Sequence, residues 1–73
     1  MADNDEMLVE PIRVRVLPDG RLDRENAARY IGRKPKTLAI WHTEGRGPKS
    51  RLVGGRRYYN KVDLDRFIQG EAA

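Results

Sequence analysis

A chain of 73 residues with 38% hydrophobic and 36% charged side chains has room for one small domain and a modest core. It has no cysteine, which excludes disulfides and thiolate metal sites. No apolar run reaches membrane-spanning length and the acidic start lacks a secretory-signal layout, so a cytosolic protein without a membrane partner is expected.

The formal net charge of +4 conceals an asymmetry. Residues 1–10 hold Asp3, Asp5, Glu6 and Glu10 and no basic side chain. The rest of the chain carries 15 basic against 7 acidic side chains. Between Arg29 and Lys61, ten basic residues face only Glu44. Like charges at that density repel one another and favour a polyanionic partner; a solvated basic surface is the alternative.

In chain order, residues 1–10 have no periodicity and are expected to be disordered, with a folded domain over 11–70. In "PIRVRVL", Ile12, Val14 and Val16 alternate with Arg13 and Arg15, which predicts a half-buried strand. "LPDG" predicts a turn at Leu17–Gly20, after which Leu22 resumes the apolar pattern. Asp23 is a good N-cap and Glu25 suits the first turn of a helix. Ala27, Ala28 and Ile31 mark the inner face of that helix, and Gly32 ends it. Pro35 suits the first position of a second helix, in which Leu38 and Trp41 share a face and which ends at Gly45. Lys34 is a poor N-cap by propensity.

"SRLVGGRRYYN" reads as two short extended runs around a Gly54-Gly55 hairpin turn. Asn60 and Asp63 then resemble a capping box, with Leu64, Phe67 and Ile68 as the apolar face of a last helix ending at Gly70. The predicted fold is α+β, mainly α: strand, helix-turn-helix, β-hairpin, helix. The predicted core is Ile12, Val14, Val16, Leu22, Ala27, Ala28, Ile31, Leu38, Trp41, Val53, Tyr59, Leu64, Phe67 and Ile68.

Two short helices around Gly32-Arg33-Lys34 have the helix-turn-helix layout. With Leu38 and Trp41 inward, Lys36, Ile40 and Thr43 fall near the outward pole, flanked by Thr37 and Ala39. Such a mixture suits a major groove, because Thr and Ala can touch a thymine methyl and Lys can reach a guanine edge or a phosphate. A solvated helix face is the alternative. Lys49, Arg51, Arg56 and Arg57 surround the glycine tip of the hairpin, which reads as a wing that approaches a DNA backbone or narrow minor groove. Tyr58, pointing away from Tyr59, is a candidate phosphate contact. His42 is the only histidine, so metal binding and nucleophile–base catalysis both lack partners. No metal, cofactor or enzymatic activity is expected.

The stretch "LDRENAARYIGRKPKTLAIWHTEGRGP", continued by "VGGRRYYNKVDLDRFI", resembles the winged-helix domains of phage excisionases, which group with AlpA-type regulators and the DNA-binding heads of the MerR superfamily. The resemblance spans about residues 21–69 and rests on Leu22, Ala27, Ala28, Gly32, Thr37, Leu38, Trp41, Gly45, Gly47, Pro48, Gly54, Gly55, Arg56, Tyr59, Asp63 and Leu64. Asp23, Asn26 and Lys34 depart from the Thr, Glu and Ser usual in that pattern. The resemblance implies sequence-selective binding of duplex DNA, the second helix in the major groove and the wing beside it. It places family contact positions on Lys34, Lys36, Thr37, Ile40 and the wing arginines; Arg33 in the turn is a further phosphate candidate.

Because the chain is little more than a DNA-binding unit, the role expected from the resemblance is that of an excisionase, a recombination directionality factor. Such a protein bends phage attachment-site DNA and directs an integrase toward excision in the cytoplasm of a bacterial host, at the nucleoid. The short tail after Gly70 leaves no coiled coil for a two-fold dimer, so neighbouring copies on direct repeats are expected instead. An AlpA-like transcription regulator is the close alternative, and an RNA-binding module or a basic protein adaptor the remote ones.

Overall fold

Asp23 starts the first helix as its side chain predicts. In the computed structural model, which describes residues 12–70, its carboxylate accepts the Asn26 backbone N–H at 2.9 Å. The helix α1 (Arg24–Ile31) ends where Gly32 takes a left-handed conformation, φ 75°. Gly32 N–H then donates to Arg29 O at 3.3 Å and Arg33 N–H to Ala28 O at 2.9 Å, the Schellman pair that satisfies the last carbonyls. Helix α2 (Pro35–Thr43) follows α1 after three residues, Gly32-Arg33-Lys34, with Pro35 in its first turn and no side-chain cap from Lys34. It closes with a second such pair, Gly45 N–H to His42 O and Arg46 N–H to Trp41 O. Helix α3 (Lys61–Ile68) starts after Asn60, whose side chain makes no capping bond; the expected capping box supplies the position but not the bond.

Three antiparallel strands complete the fold: β1 (Arg21–Asp23), β2 (Arg51–Val53) and β3 (Arg56–Asn60), in the order β1-β3-β2. Leu22 pairs with Tyr59 and Asp23 with Tyr58, while Val53 pairs with Arg56 across the hairpin. Gly54 and Gly55 take φ 59° and 83°, the two positive values a type I′ turn requires.

The core lies where the helices meet the inner face of the sheet. Leu22, Ala27, Ala28, Leu38, Tyr59 and Leu64 are buried, each helix and both long-range strands contributing. Val14, Tyr30, Ile31 and Trp41 pack against them. Trp41 and Phe67 stack with ring centroids 5.4 Å apart, tying α2 to α3.

Four expected core residues are exposed: Ile12 (64%), Val16 (40%), Val53 (40%) and Ile68 (54%). The cause for the first two is that residues 12–17 form no strand. Both edges of β3 are taken, by β1 and β2, and the run before the turn bonds elsewhere, the Arg15 N–H donating to Asn26 Oδ1. The N-terminal strand exists, but it is the three residues after the Leu17–Gly20 turn. Val53 is exposed because the wing projects past the core, and Ile68 because Leu64 and Phe67 already fill the inner face of α3. The acidic segment expected to be disordered lies outside the described residues. Among the described residues, no helix is long and apolar enough to cross a membrane.

Candidate nucleic-acid interface

The recognition geometry is built from the core outward. Leu38, 1% exposed, anchors α2 against α1. The 3.6-residue period then turns Lys36, Ile40 and Thr43 outward, all three exposed, with Thr37 and Ala39 half-buried beside them. Ile40 is 45% exposed, an apolar side chain that nothing in the fold covers. Thr43 Oγ1 donates to Ala39 O at 3.0 Å, so its hydroxyl is spent within the helix. Arg33 and Lys34 stand exposed in the turn, at the N-terminal end of the same helix.

Beside this helix-turn-helix stands a hairpin with a glycine tip and four surrounding cations, the layout of a wing. A family model described as a helix-turn-helix domain matches residues 22–72. The chain belongs to the helix-turn-helix domain family. It is a small helix-turn-helix DNA-binding protein, and its partner is double-stranded DNA. No curated protein and no solved structure gives a significant match.

The register of this helix-turn-helix protein's sheet sorts the wing cations by face. Arg51 opposes Tyr58 and Val53 opposes Arg56, so Arg51, Arg56 and Tyr58 share the outer face with Asp23. Arg57 and Leu52 lie on the other face, the one that carries Tyr59 into the core farther along β3. Arg57 is half-buried and donates from Nη1 to Ser50 Oγ at 2.8 Å. Arg51 and Arg56 are exposed, as is Lys49 in the loop before β2. The Tyr58 ring is half-buried under the Arg21 guanidinium, 4.5 Å from its centroid. The structure thus brings Arg33, Lys34, Lys36 and Ile40 together on the helix-turn-helix and splits the hairpin cations between two faces.

Sequence reasoning passed over several basic residues around the start of α1. Arg24 is the first helical residue, and its buried Nε–H has no acceptor among the described residues. Arg15 was assigned to the outer face of a strand; it instead belongs to a segment held by its own backbone N–H, which donates to Asn26 Oδ1 at 2.8 Å. The signal available was the charge itself, an Arg in first-turn position where an acidic residue is favoured.

Away from this region, Tyr30 on α1 donates its hydroxyl to Asp65 on α3, and Lys61 reaches the same carboxylate at 3.1 Å. The Tyr30 hydroxyl and then Lys61 hold Asp65 below its ordinary value of 3.8, and Asp65 in turn raises Lys61 above 10.5. Among the described residues no group of three or more His, Asp or Glu side chains is placed to hold a metal ion.

Proposed function

We propose that this protein is a sequence-selective, DNA-bending accessory factor, an excisionase that directs an integrase toward excision, and that it has no enzymatic activity of its own. The observation that carries the reading is the outward face of α2, where exposed Ile40 lies between Lys36 and Thr43. An uncovered Ile among polar neighbours fits a groove that presents thymine methyls, and in this reading Lys36 and Thr37 meet base edges. In this reading Arg33 and Lys34 meet phosphates at one end of α2. Lys49, Arg51, Arg56, Arg57 and Tyr58 meet the backbone or minor groove at the wing.

Support for an accessory rather than a solitary role comes from apolar side chains exposed on elements other than α2. Leu52 on β2 is 62% exposed, and Val62 and Ile68 on α3 are 59% and 54% exposed. Neighbouring copies on DNA, or an integrase, would cover them. The test is footprinting on attachment-site DNA beside an integrase gene, coupled to an excision assay with that integrase. Protection of the attachment site with stimulated excision supports the reading. Protection confined to a promoter, with repression and no effect on recombination, would replace it with an AlpA-like transcription regulator.

A further inference from the structure

The start of α1, the wing tip and the segment before β1 converge on one place. An open cleft between helix and wing is lined by Asp23, Arg24, Glu25, Gly55, Arg56 and Arg57. The pairing of Asp23 with Tyr58 sets Arg56 two residues farther toward the tip on the same outer face. Arg15 does not line the cleft but lies near it: its backbone N–H is bonded to Asn26, beside the Asp23 cap, and its charge, like that of Arg56, acts on the Asp23 carboxylate.

The lining of the cleft carries three arginines, Arg24, Arg56 and Arg57, against two carboxylates, Asp23 and Glu25. The Asp23 carboxylate accepts from the backbone and side chain of Asn26 and forms no ion pair with an arginine. Arg15, Arg24 and Arg56 make no side-chain hydrogen bond or ion pair among the described residues, and the Nε–H of Arg24 is buried without an acceptor. The Nε–H itself is out of reach of solvent, so a phosphate oxygen would meet the accessible part of this unpaired guanidinium. The cleft is open rather than enclosed, which suits one oxygen-bearing group of an extended polyanion better than a free small molecule.

We propose that Arg15, Arg24 and Arg56 form a clamp for a single backbone phosphate of the duplex, at the wing end of the interface and apart from the groove-facing side of α2. The clamp rests on the duplex-DNA reading above and adds to it two residues, Arg15 and Arg24, that lie outside the helix-turn-helix turn and the hairpin. It fixes the register of the protein on the duplex without reading sequence.

The test combines binding at several salt concentrations with ethylation interference on a specific duplex. Arg15→Ala and Arg24→Gln are each expected to weaken binding about fivefold, equally on specific and random duplexes. Each should also reduce the slope of log K against log salt by about 1. In both variants one flanking phosphate should cease to interfere when ethylated, and the double variant should lose less than the product of the two single losses. Unchanged affinity, slope and interference in folded variants, while Arg56→Ala still weakens binding, would overturn the clamp and leave the wing reading intact. If Arg24→Gln unfolds the domain, the exposed Arg15→Ala variant decides alone. If all three variants, Arg56→Ala included, bind as the parent does, the wing reading falls with the clamp.

Discussion

Asn26 donates twice to one oxygen of Asp23, from its backbone and from its side chain, each at 2.9 Å. The other end of the same amide accepts the Arg15 backbone N–H at 2.8 Å. A single residue, 9% exposed, therefore ties the cap of α1 to the segment that precedes β1. Asn26→Ala removes two of these three bonds and leaves the Arg15 N–H unpaired. It should cost about 2–3 kcal/mol, more than the roughly 1 kcal/mol of Asp23→Ala as a cap loss alone. Urea denaturation of the two variants checks the order; equal costs would mean that the Arg15 bond contributes nothing.

Stability should fall in acid for an identified reason. The Asn26 backbone N–H holds Asp23 below its ordinary 3.8, with smaller help from its side chain, Arg56 and Arg15, against some desolvation. The Tyr30 hydroxyl, then Lys61, lowers Asp65. A carboxylate with a depressed folded pKa contributes stability that is full above its unfolded pKa and is lost as pH falls through the folded one. The loss from these two groups therefore begins below pH 3.8. Lys61 has the opposite sign: its contribution is full below 10.5 and is lost only as pH rises through its higher folded value. Asp23→Asn keeps a capping oxygen but cannot titrate. Its melting temperature should decline less steeply in acid than the parent's, and parallel curves would refute the assignment.

Helix starts and stops were legible because each depends on one or two local residues: Asp23, Gly32, Pro35, Gly45 and the Gly54-Gly55 turn act through their own backbone or side chains. The first strand was not, because strand pairing is decided at a distance. "PIRVRVL" has a cleaner alternation than "RLD", yet the free edge of β3 goes to Arg21–Asp23, which lies next to α1 and delivers Leu22 to the core at 0% exposure. The outward face of α2 was legible from Leu38 and Trp41. The facing of Arg56 against Arg57 was not drawn from the sequence, although it follows once Tyr59 is known to point inward. The gathering of Arg15, Arg24 and Arg56 was beyond sequence reading, since it depends on the path of the chain before β1.

Trp41 rests on the loop that follows its own helix. A Cβ built on Gly47 would stand 3.0 Å from Trp41 Cβ and 3.3 Å from Cε3, and Gly47 has φ 94°. Both sterics and backbone oppose a side chain there. Gly47→Ala should cost about 1–3 kcal/mol, and near-UV circular dichroism should report a displaced Trp41. Trp41→Ala, which strips the stacking on Phe67 from a half-buried site, should cost about 3 kcal/mol, the low end for a large truncation. A thermal melt of Gly47→Ala that matches the parent would show that the loop yields freely.

Binding should divide between charge and base contacts. If about six basic side chains meet phosphates, log K should fall against log salt with a slope of about −5. Lys36→Ala and Thr37→Ala should narrow the gap between specific and random duplexes, by about 1–3 kcal/mol if each reads a base edge. Arg56→Ala, on the outer face of the wing, should weaken both duplexes alike. Ile40→Ala should leave stability unchanged, since the side chain is 45% exposed, and should reduce discrimination at A·T positions. Competition binding with the folded variants distinguishes these outcomes, and retained discrimination in all three helix variants would remove α2 from the groove.

Cooperation between copies should depend on the outer edge of β2. β3 fills one side of that strand, and the other side presents unpaired backbone groups along Arg51–Val53. Leu52 stands there 62% exposed. A single small module buries only about 600–1,000 Å² on DNA, so useful affinity for a site calls for neighbours. Direct repeats set one helical turn apart, about 10 base pairs, would place successive copies in the same orientation and add their bends in one direction. Bending a site of 20–30 base pairs costs about 1–6 kcal/mol, so the bend should appear only as the array fills. Leu52→Ser changes no charge and replaces no predicted DNA contact, although Leu52 pairs with Arg57 across the hairpin, so affinity for one isolated site is the control. It should leave affinity for one isolated site unchanged, abolish the steepening of binding on two or more repeats, and suppress position-dependent gel mobility at protein concentrations that bend the parent complex. Cooperative filling that survives Leu52→Ser would move the contact away from β2. A stable two-fold dimer in sedimentation, protecting one palindrome without bending it, would exclude a head-to-tail array altogether.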